Sequence, residues 1–222
     1  GRGILPTGRN LYGVETDKIP TQAAYKRGEQ AAEALLAAYR EDAGRIPEKI
    51  AMNLISMDIA RTGGEQMSQF LSLLGVRPIW DGENRVIGLR PVPLEELKRP
   101  RLDVTGHISS VMRDAWPSAI AMLDRAVHLV AELDEPETMN YVRKNAQTMG
   151  EARIFGGAPG TYTNSVGLAL KASAWKDERD LARYFIDSSS YVYGDGKQGE
   201  QDVEAFVANV RQIDVSCDIT SS

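Results

Sequence analysis

The chain reads as a layered α/β protein, with a mainly parallel sheet flanked by helices and a helix-rich C-terminal half. Two observations predict this. Stretches with the 3.6-residue apolar period of a helix alternate with short apolar runs that suit buried strands, and the intervening segments favour crossovers over hairpins. The composition, 222 residues with 42% hydrophobic and 26% charged side chains, is that of a chain able to bury a core. Residues 1–20 read as an irregular segment and 21–133 as the α/β domain, with its mainly parallel sheet between about Lys49 and Leu133. Residues 134–222 form a helix-rich continuation, of the same domain or of a second one.

The opening segment is rich in Gly, Pro and polar residues and has no period. So abrupt a start suggests a piece of something longer. Thr21 is placed as an N-cap for a helix over Gln22–Ala43, with Ala24, Gly28, Ala31, Leu35 and Tyr39 on one face and Gly44 as its stop. Lys49–Met57 follows as a buried strand. Thr62 and Glu65 have the spacing of a capping box, opening a helix that runs to Leu74 and closes at Gly75. Val76–Trp80 and Val86–Val92 are short strand candidates about the turn-like Asp81-Gly82-Glu83-Asn84, and Leu102–Ile108 is another strand. Pro117 suits the first turn of a helix whose stripe is Ile120, Leu123, Val127 and Val130. Asp134-Glu135-Pro136 is expected to interrupt this helix and open the next, to about Met149, with its acidic residues at the positive end of the dipole. Arg153–Tyr162 reads as a short strand and glycine loop, with weaker helices near Ser165–Ala172 and Glu178–Ile186. A last helix spans Glu200–Ile213, with Val203, Phe206, Val207 and Val210 inward.

Several function classes are disfavoured. Apolar runs such as Val127–Leu133 stop well short of the ~20 residues that span a bilayer, and Gly1–Leu11 lacks the apolar region of a signal peptide. A cytoplasmic setting is therefore expected, with no membrane span. Cys217 is the only cysteine, which rules out an intrachain disulfide. A net charge of −5 argues against a broad nucleic-acid surface. Gly156–Thr161 has glycines but no P-loop lysine, and neither C-x-x-C nor H-x-x-x-H occurs.

Polar candidates remain at two places. In Thr7-Gly8-Arg9-Asn10, Arg9 and Asn10 offer donors that suit a carboxylate, or an internal ion pair. After the Leu102–Ile108 strand come Ser109, Ser110, Arg113 and Asp114, at the strand end where open α/β sheets bind ligands. Here too there are structural alternatives, Ser110 as a helix cap and Arg113 with Asp114 as a local ion pair. His107 could serve as a metal ligand or proton carrier but is read more readily as packed and hydrogen-bonded, and His128, four residues before Glu132, is a weaker candidate. Trp80, Trp116 and Trp175 are read as core more readily than as stacking platforms.

Three longer motifs carry a resemblance. They are Pro6-Thr7-Gly8-Arg9-Asn10-Leu11-Tyr12-Gly13, Leu74-Gly75-Val76-Arg77-Pro78, and Pro93-Leu94-Glu95-Glu96-Leu97 followed by Arg99-Pro100-Arg101-Leu102-Asp103-Val104. Arg113-Asp114, Leu133-Asp134-Glu135-Pro136, Asn140-Tyr141-Val142-Arg143-Lys144, Arg153-Ile154-Phe155-Gly156 and Pro159-Gly160-Thr161-Tyr162 continue it in the same order. Together they closely resemble the large subunit of cobaltochelatase and its magnesium chelatase relative. The resemblance implies a fragment of a much longer subunit. That subunit binds a corrin or porphyrin tetrapyrrole and inserts Co2+ or Mg2+, while separate AAA+ partners hydrolyse ATP. Polar contacts, ring-side or structural, are then expected from Arg9, Asn10, Arg113, Asp114, Asn140, Arg143 and Arg153, all at motif positions. No catalytic base or metal ligand is assigned.

The sequence departs from the family pattern at Ser110-Val111-Met112, where the family shows Gly followed by an aromatic. It also departs at the short connection from Met149 to Arg153, and at His107, which takes no family role. A competing reading makes the segment a non-catalytic module that docks the ATPase partners. The two readings divide on whether Arg9, Arg113 and Arg153 converge on one cleft of about 300–1,000 Å³. Lacking a phosphate-cradling loop, the purified chain is expected not to hydrolyse ATP, and stoichiometric ATPase activity that survives removal of contaminants would contradict this.

Overall fold

The computed structural model describes residues 16–162 and 179–217. After a 3-10 turn at Thr16–Lys18, α1 (Gln22–Ala43) begins where the Thr21 hydroxyl accepts from the Ala24 N–H. It ends where Gly44, at φ 74°, donates to the Arg40 carbonyl. Both ends are as predicted. The buried face is Ala24, Tyr25, Gly28, Ala32 and Leu36, rotated slightly from the expected stripe. A close approach at Gly28 sets that angle, since a Cβ there would sit 2.5 Å from Ser68 Cβ.

The predicted run Lys49–Met57 divides into β1 (Lys49–Leu54) and the start of α2 (Ser56–Thr62). Thr62 Oγ1 does accept from the Glu65 N–H at 2.9 Å. Thr62 is nevertheless the last residue of α2, and Gly63 and Gly64, both at positive φ, turn the chain into α3 (Glu65–Leu74). Every residue of α3 after Glu65 is buried.

β2 (Val76–Trp80) and β3 (Val86–Pro91) stand outside the mainly parallel sheet expected between Lys49 and Leu133, as a hairpin the sequence reading did not include. They pair antiparallel in a two-stranded sheet of their own. The Asp81 side chain makes the reversal possible, accepting from the N–H groups of Glu83 and Arg85, with Asn84 at φ 64°.

The short α4 (Leu94–Leu97) leads to β4 (Asp103–Ile108), α5 (Ser110–Ala115) and α6 (Pro117–Ala131), whose predicted stripe is buried. Asp134-Glu135-Pro136 does not open the next helix. α7 (Tyr141–Met149) begins later, capped by Asn140, because Glu135 turns back to accept from the buried Arg101 guanidinium at 2.8 and 3.0 Å.

β5 (Ile154–Gly156), α8 (Arg179–Ser189), β6 (Tyr191–Gly194), β7 (Lys197–Gln201), α9 (Val203–Arg211) and β8 (Val215–Cys217) follow. The helix expected at Ser165–Ala172 lies outside the described residues. β6, β7 and β8 went unforeseen, so the C-terminal half supplies four of the six strands of the main sheet. The final helix is shorter than expected: Glu200 belongs to β7, Asp202 caps α9, and Val203 is exposed while Phe206 is buried.

The main sheet has the order β7-β6-β5-β4-β1-β8. β8, β1, β4 and β5 run parallel, and β6 and β7 close one side antiparallel. The pleat divides the core between two faces. Ile50, Met52, Leu54 and Ile154 join the larger cluster with α1, α3 and α6, while Ala51 and Phe155 join Phe185 and Phe206 on the other side.

A buried polar cluster sits at the amino-terminal end of the parallel strands. Lys49 and Asp103, the first residues of β1 and β4, stand opposite each other in register, and Lys49 Nζ lies 2.9 Å from Asp103 Oδ2. Arg153 Nε donates to Asp103 Oδ1 at 2.8 Å and Asn145 Nδ2 to Asp103 Oδ2 at 2.8 Å. Asn209 accepts from both Lys49 Nζ and the Thr105 hydroxyl, tying α9 to the same point. Burial pushes the Asp103 carboxyl up, but Lys49, Arg153 and the hydrogen bonds outweigh it and hold the group at about 2. Two cations share one carboxylate, and burial, with Arg153 beside it, brings the Lys49 ammonium down to about 8 despite Asp103.

Replacing Asp103 by Asn leaves two buried cations uncompensated and is expected to cost about 3–5 kcal/mol in chemical denaturation. The folded carboxyl lies below its unfolded value of about 3.9. Its stabilisation is therefore complete above that pH and is lost as the pH falls through about 2. The Asp103→Asn protein should show less loss of stability than wild type over this acid range.

Candidate functional site

Parallel strands leave their carboxyl ends on one edge of the sheet, and in open α/β folds that edge binds ligands. Here β1 runs into α2 and β4 into α5, and two hydrogen bonds hold these starts side by side. The Ser109 N–H donates to the Leu54 carbonyl at 3.0 Å, and Trp116 Nε1 donates to Ser56 Oγ at 2.9 Å. Trp116 is thus a core residue, and Trp80, partly buried, packs against the core and edge-on against Tyr25. Trp175 lies outside the described residues. His107 is buried in β4. The helix cap expected at Ser110 falls one residue earlier: Ser109 caps α5 by accepting from the Met112 N–H, and Ser110 is the first residue of the helix.

β5 ends at Gly156, pressed against Ile108 so closely that a Cβ would lie 3.0 Å from Ile108 Cγ1. The loop beyond it is held by Arg113. Nη1 donates to the Ala158 carbonyl at 2.9 Å, and Nη1 and Nη2 share the Thr161 carbonyl at 3.3 Å. The same guanidinium closes on Asp114 through Nε at 2.8 Å and Nη2 at 3.2 Å, and lies over the Tyr162 ring at 5.5 Å from its centre. Tyr162 in turn donates to Asp114 at 2.5 Å. Hydrogen bonds from Arg113 and Tyr162 hold the Asp114 carboxyl below its usual range, and those to Asp114 raise Arg113.

Between α5, α6, this loop and the β6–β7 turn lies a cleft of about 550 Å³, bordered by Arg113, Asp114, Ile120, Asp124, Pro159 and Tyr193. Arg113 and Asp114 therefore line a cleft of ligand size. The fork of Arg113 is filled by its own neighbour and two carbonyls. Arg153 follows α7 and precedes β5, at the opposite end of the sheet, so Arg113 and Arg153 do not converge. Asn140 caps α7 and donates to the Val130 carbonyl, and Arg143 donates to the Leu133 carbonyl and pairs with Asp134. Arg9 and Asn10 lie outside the described residues.

The same edge exposes large apolar side chains that sequence reasoning missed. Met57 is 55% exposed, Val111 46% and Tyr162 71%, with Ile55 beside Met57. Val111 and Asp114, three apart on α5, share a helix face. The signal was present in the apolar run that continues past β1 into Ile55 and Met57, but it reads as more strand.

The family model described as CobN/Magnesium Chelatase matches residues 1–222. The chain belongs to the CobN/magnesium chelatase family. An uncharacterised protein of Methanocaldococcus jannaschii is 43% identical over 222 residues, covering 96% of this chain and 18% of that protein. The chloroplastic magnesium-chelatase subunit ChlH of Oryza sativa subsp. indica is 42% identical over 201 residues, or 86% of this chain and 14% of the subunit. Among solved structures, the catalytic subunit of cobaltochelatase from Mycobacterium tuberculosis superposes with a TM-score of 0.85 at 39% identity. That match covers 96% of this chain and 19% of that one. The chain thus spans less than a fifth of each of these family members.

Arg113 organises the loop wall, so Arg113→Ala is expected to cost about 1.5–3 kcal/mol, the worth of hydrogen bonds to a charged group. It should also speed amide exchange at residues 158–162. Arg113→Lys keeps the charge without the fork and should recover only part of the loss. Unchanged exchange in both variants would remove this role.

Proposed function

We propose that this chain is a segment of the tetrapyrrole-binding subunit of a metal chelatase, which inserts Co2+ or Mg2+ into a corrin or porphyrin ring. The ring lies against the carboxyl edge of the sheet. The observation that carries this placement is the meeting, at one edge, of a ligand-sized cleft with the exposed apolar side chains Met57, Val111 and Tyr162. A tetrapyrrole is a flat apolar disc with polar groups on its rim, and such a ligand takes an apolar platform with a few fixed polar groups beside it. Family membership supports the class of ligand.

On this reading Met57 and Val111 meet the ring face, and Tyr162 is fixed for stacking by its bond to Asp114 and its place over Arg113. Arg113 and Asp114 form the polar margin, with Arg9 and Asn10 as further ring-side contacts. Asn140, Arg143 and Arg153 brace the fold. The work of the segment is to position the ring and exclude water from one face of it. The energy comes from elsewhere: the sequence holds no P-loop, and ATP hydrolysis is assigned to separate AAA+ subunits of a cytoplasmic complex.

Titration of the intact subunit with a porphyrin and with a corrin, followed by tryptophan fluorescence, tests the placement. Each buried apolar side chain is worth about 1.5–3 kcal/mol, so Met57→Asp and Val111→Asp should each weaken ring binding at least about tenfold. Thermal midpoints should hold, because both side chains are exposed. Wild-type affinity in the double variant would overturn the placement. If that variant instead lost stimulation by the ATPase partners, the edge would be a docking surface.

A further inference from the structure

Four titratable side chains that the chelatase reading does not use meet on the other flank of the cleft. α6 supplies Asp124 and His128, four residues apart and so on one helix face. The connection before β5 supplies Glu151. The β6–β7 turn supplies Asp195, which takes φ 53° between Gly194 and Gly196. Glu151 and Asp195 are distant in sequence from the α6 pair, so no motif marks the set.

The His128 imidazole stands between these carboxylates. Nδ1 is in close contact with Glu151 Oε2, while Nε2 faces Asp124 Oδ1 at 3.2 Å and Asp195 Oδ1 at 3.7 Å. One ligand atom from each of His128, Glu151 and Asp195 lies within 4.8 Å of the other two. Donors that share a first-row ion at about 2.0–2.2 Å stand roughly 3 Å apart, close to the separations of Nε2 from Asp124 and from Asp195. The backbone already fixes the arrangement. The Asp195 N–H donates to Asp124 Oδ1 at 3.0 Å, and Gly194 packs on Asp124 so closely that a Cβ would lie 2.4 Å from Oδ1.

Charge gives the second argument. Among the described residues no lysine or arginine lies within 4.0 Å of these three carboxylates, whose only ion-pair partner is His128. Even a protonated imidazole leaves two negative charges uncompensated. Elsewhere in the molecule partly buried carboxylates are matched by arginines, as Glu135 is by Arg101 and Asp214 by Arg45. A cation is what this cluster lacks.

We propose that His128 Nε2, Asp124 and Asp195 bind a divalent first-row transition ion, with Glu151 accepting the Nδ1 proton and orienting the ring. A carboxylate behind a ligating imidazole is the usual support of such a site. One nitrogen among oxygens favours Mn2+, Co2+, Ni2+ or Zn2+ over Mg2+, which takes an all-oxygen shell. The ion ties α6 to the β6–β7 turn across the cleft wall that Asp124 lines. It is a site in its own right, independent of the ring and of the metal that a chelatase inserts.

The test is calorimetric titration of the intact, chelator-treated protein with ZnCl2, beside His128→Gln and Asp195→Asn. Wild type should bind one more equivalent of Zn2+ than either variant, or bind it at least tenfold tighter, and only wild type should gain in thermal midpoint. Millimolar Mg2+ should not displace that equivalent. Asp195 lies on an exposed turn, so its variant decides if His128→Gln lowers the metal-free midpoint. Equal Zn2+ binding by wild type and Asp195→Asn would overturn the proposal, as would full competition by Mg2+. The readout uses no tetrapyrrole, so its failure would leave the chelatase reading untouched, and the reverse holds as well.

Discussion

A single carboxylate, that of Asp103, fixes where the parts of this fold meet. It stands fully buried at the head of β4 and answers Lys49 from β1, Asn145 from α7 and Arg153 from the approach to β5. Through Lys49 and Asn209 it also reaches α9. Taking these charges out of water is costly, and removing any one leaves the others unpaired. A slipped register between β1 and β4 would separate Lys49 from Asp103, so the cluster selects one alignment of the sheet rather than merely adding stability.

This lock lies at the amino ends of the strands, and the opposite edge is built differently. There the charged groups hold loops instead of strands: Arg113 gathers residues 158–162, and Asp124 receives the β6–β7 turn. Two short helices, α2 and α5, begin there with apolar residues facing outward. Buried charge thus pins one edge of the sheet, and side chains that hold loops finish the other.

The parts of the fold legible in the sequence were those with local causes. α1 showed its cap, its stop and its period within 24 residues, Thr21 to Gly44, and Pro117 marked the first turn of α6. Elements that depend on distant partners did not show. β7 is polar with a glycine at its centre, and it becomes a strand by pairing with β6, which in turn pairs with β5. Asn140 caps α7 only because Arg101 draws Glu135 away. The site divides in the same way. Arg113 and Asp114 could be placed beside a strand end because that is a local feature, yet nothing near Arg113 in sequence foretold that Ala158 and Thr161 would occupy its donors. The exposure of Met57 and Val111 was hidden because an apolar residue reads as core until the surface is known.

Gly28 shows how narrow some of these tolerances are. With no side chain at that position, α1 and α3 touch backbone to backbone, and this depth brings the Tyr25 hydroxyl within 2.9 Å of the Val76 carbonyl, at the root of the β2–β3 hairpin. A methyl group there would act as a wedge, lifting the helix and swinging the hairpin with it. The pitch at which that arm leaves the body of the protein is thus set by a hydrogen atom.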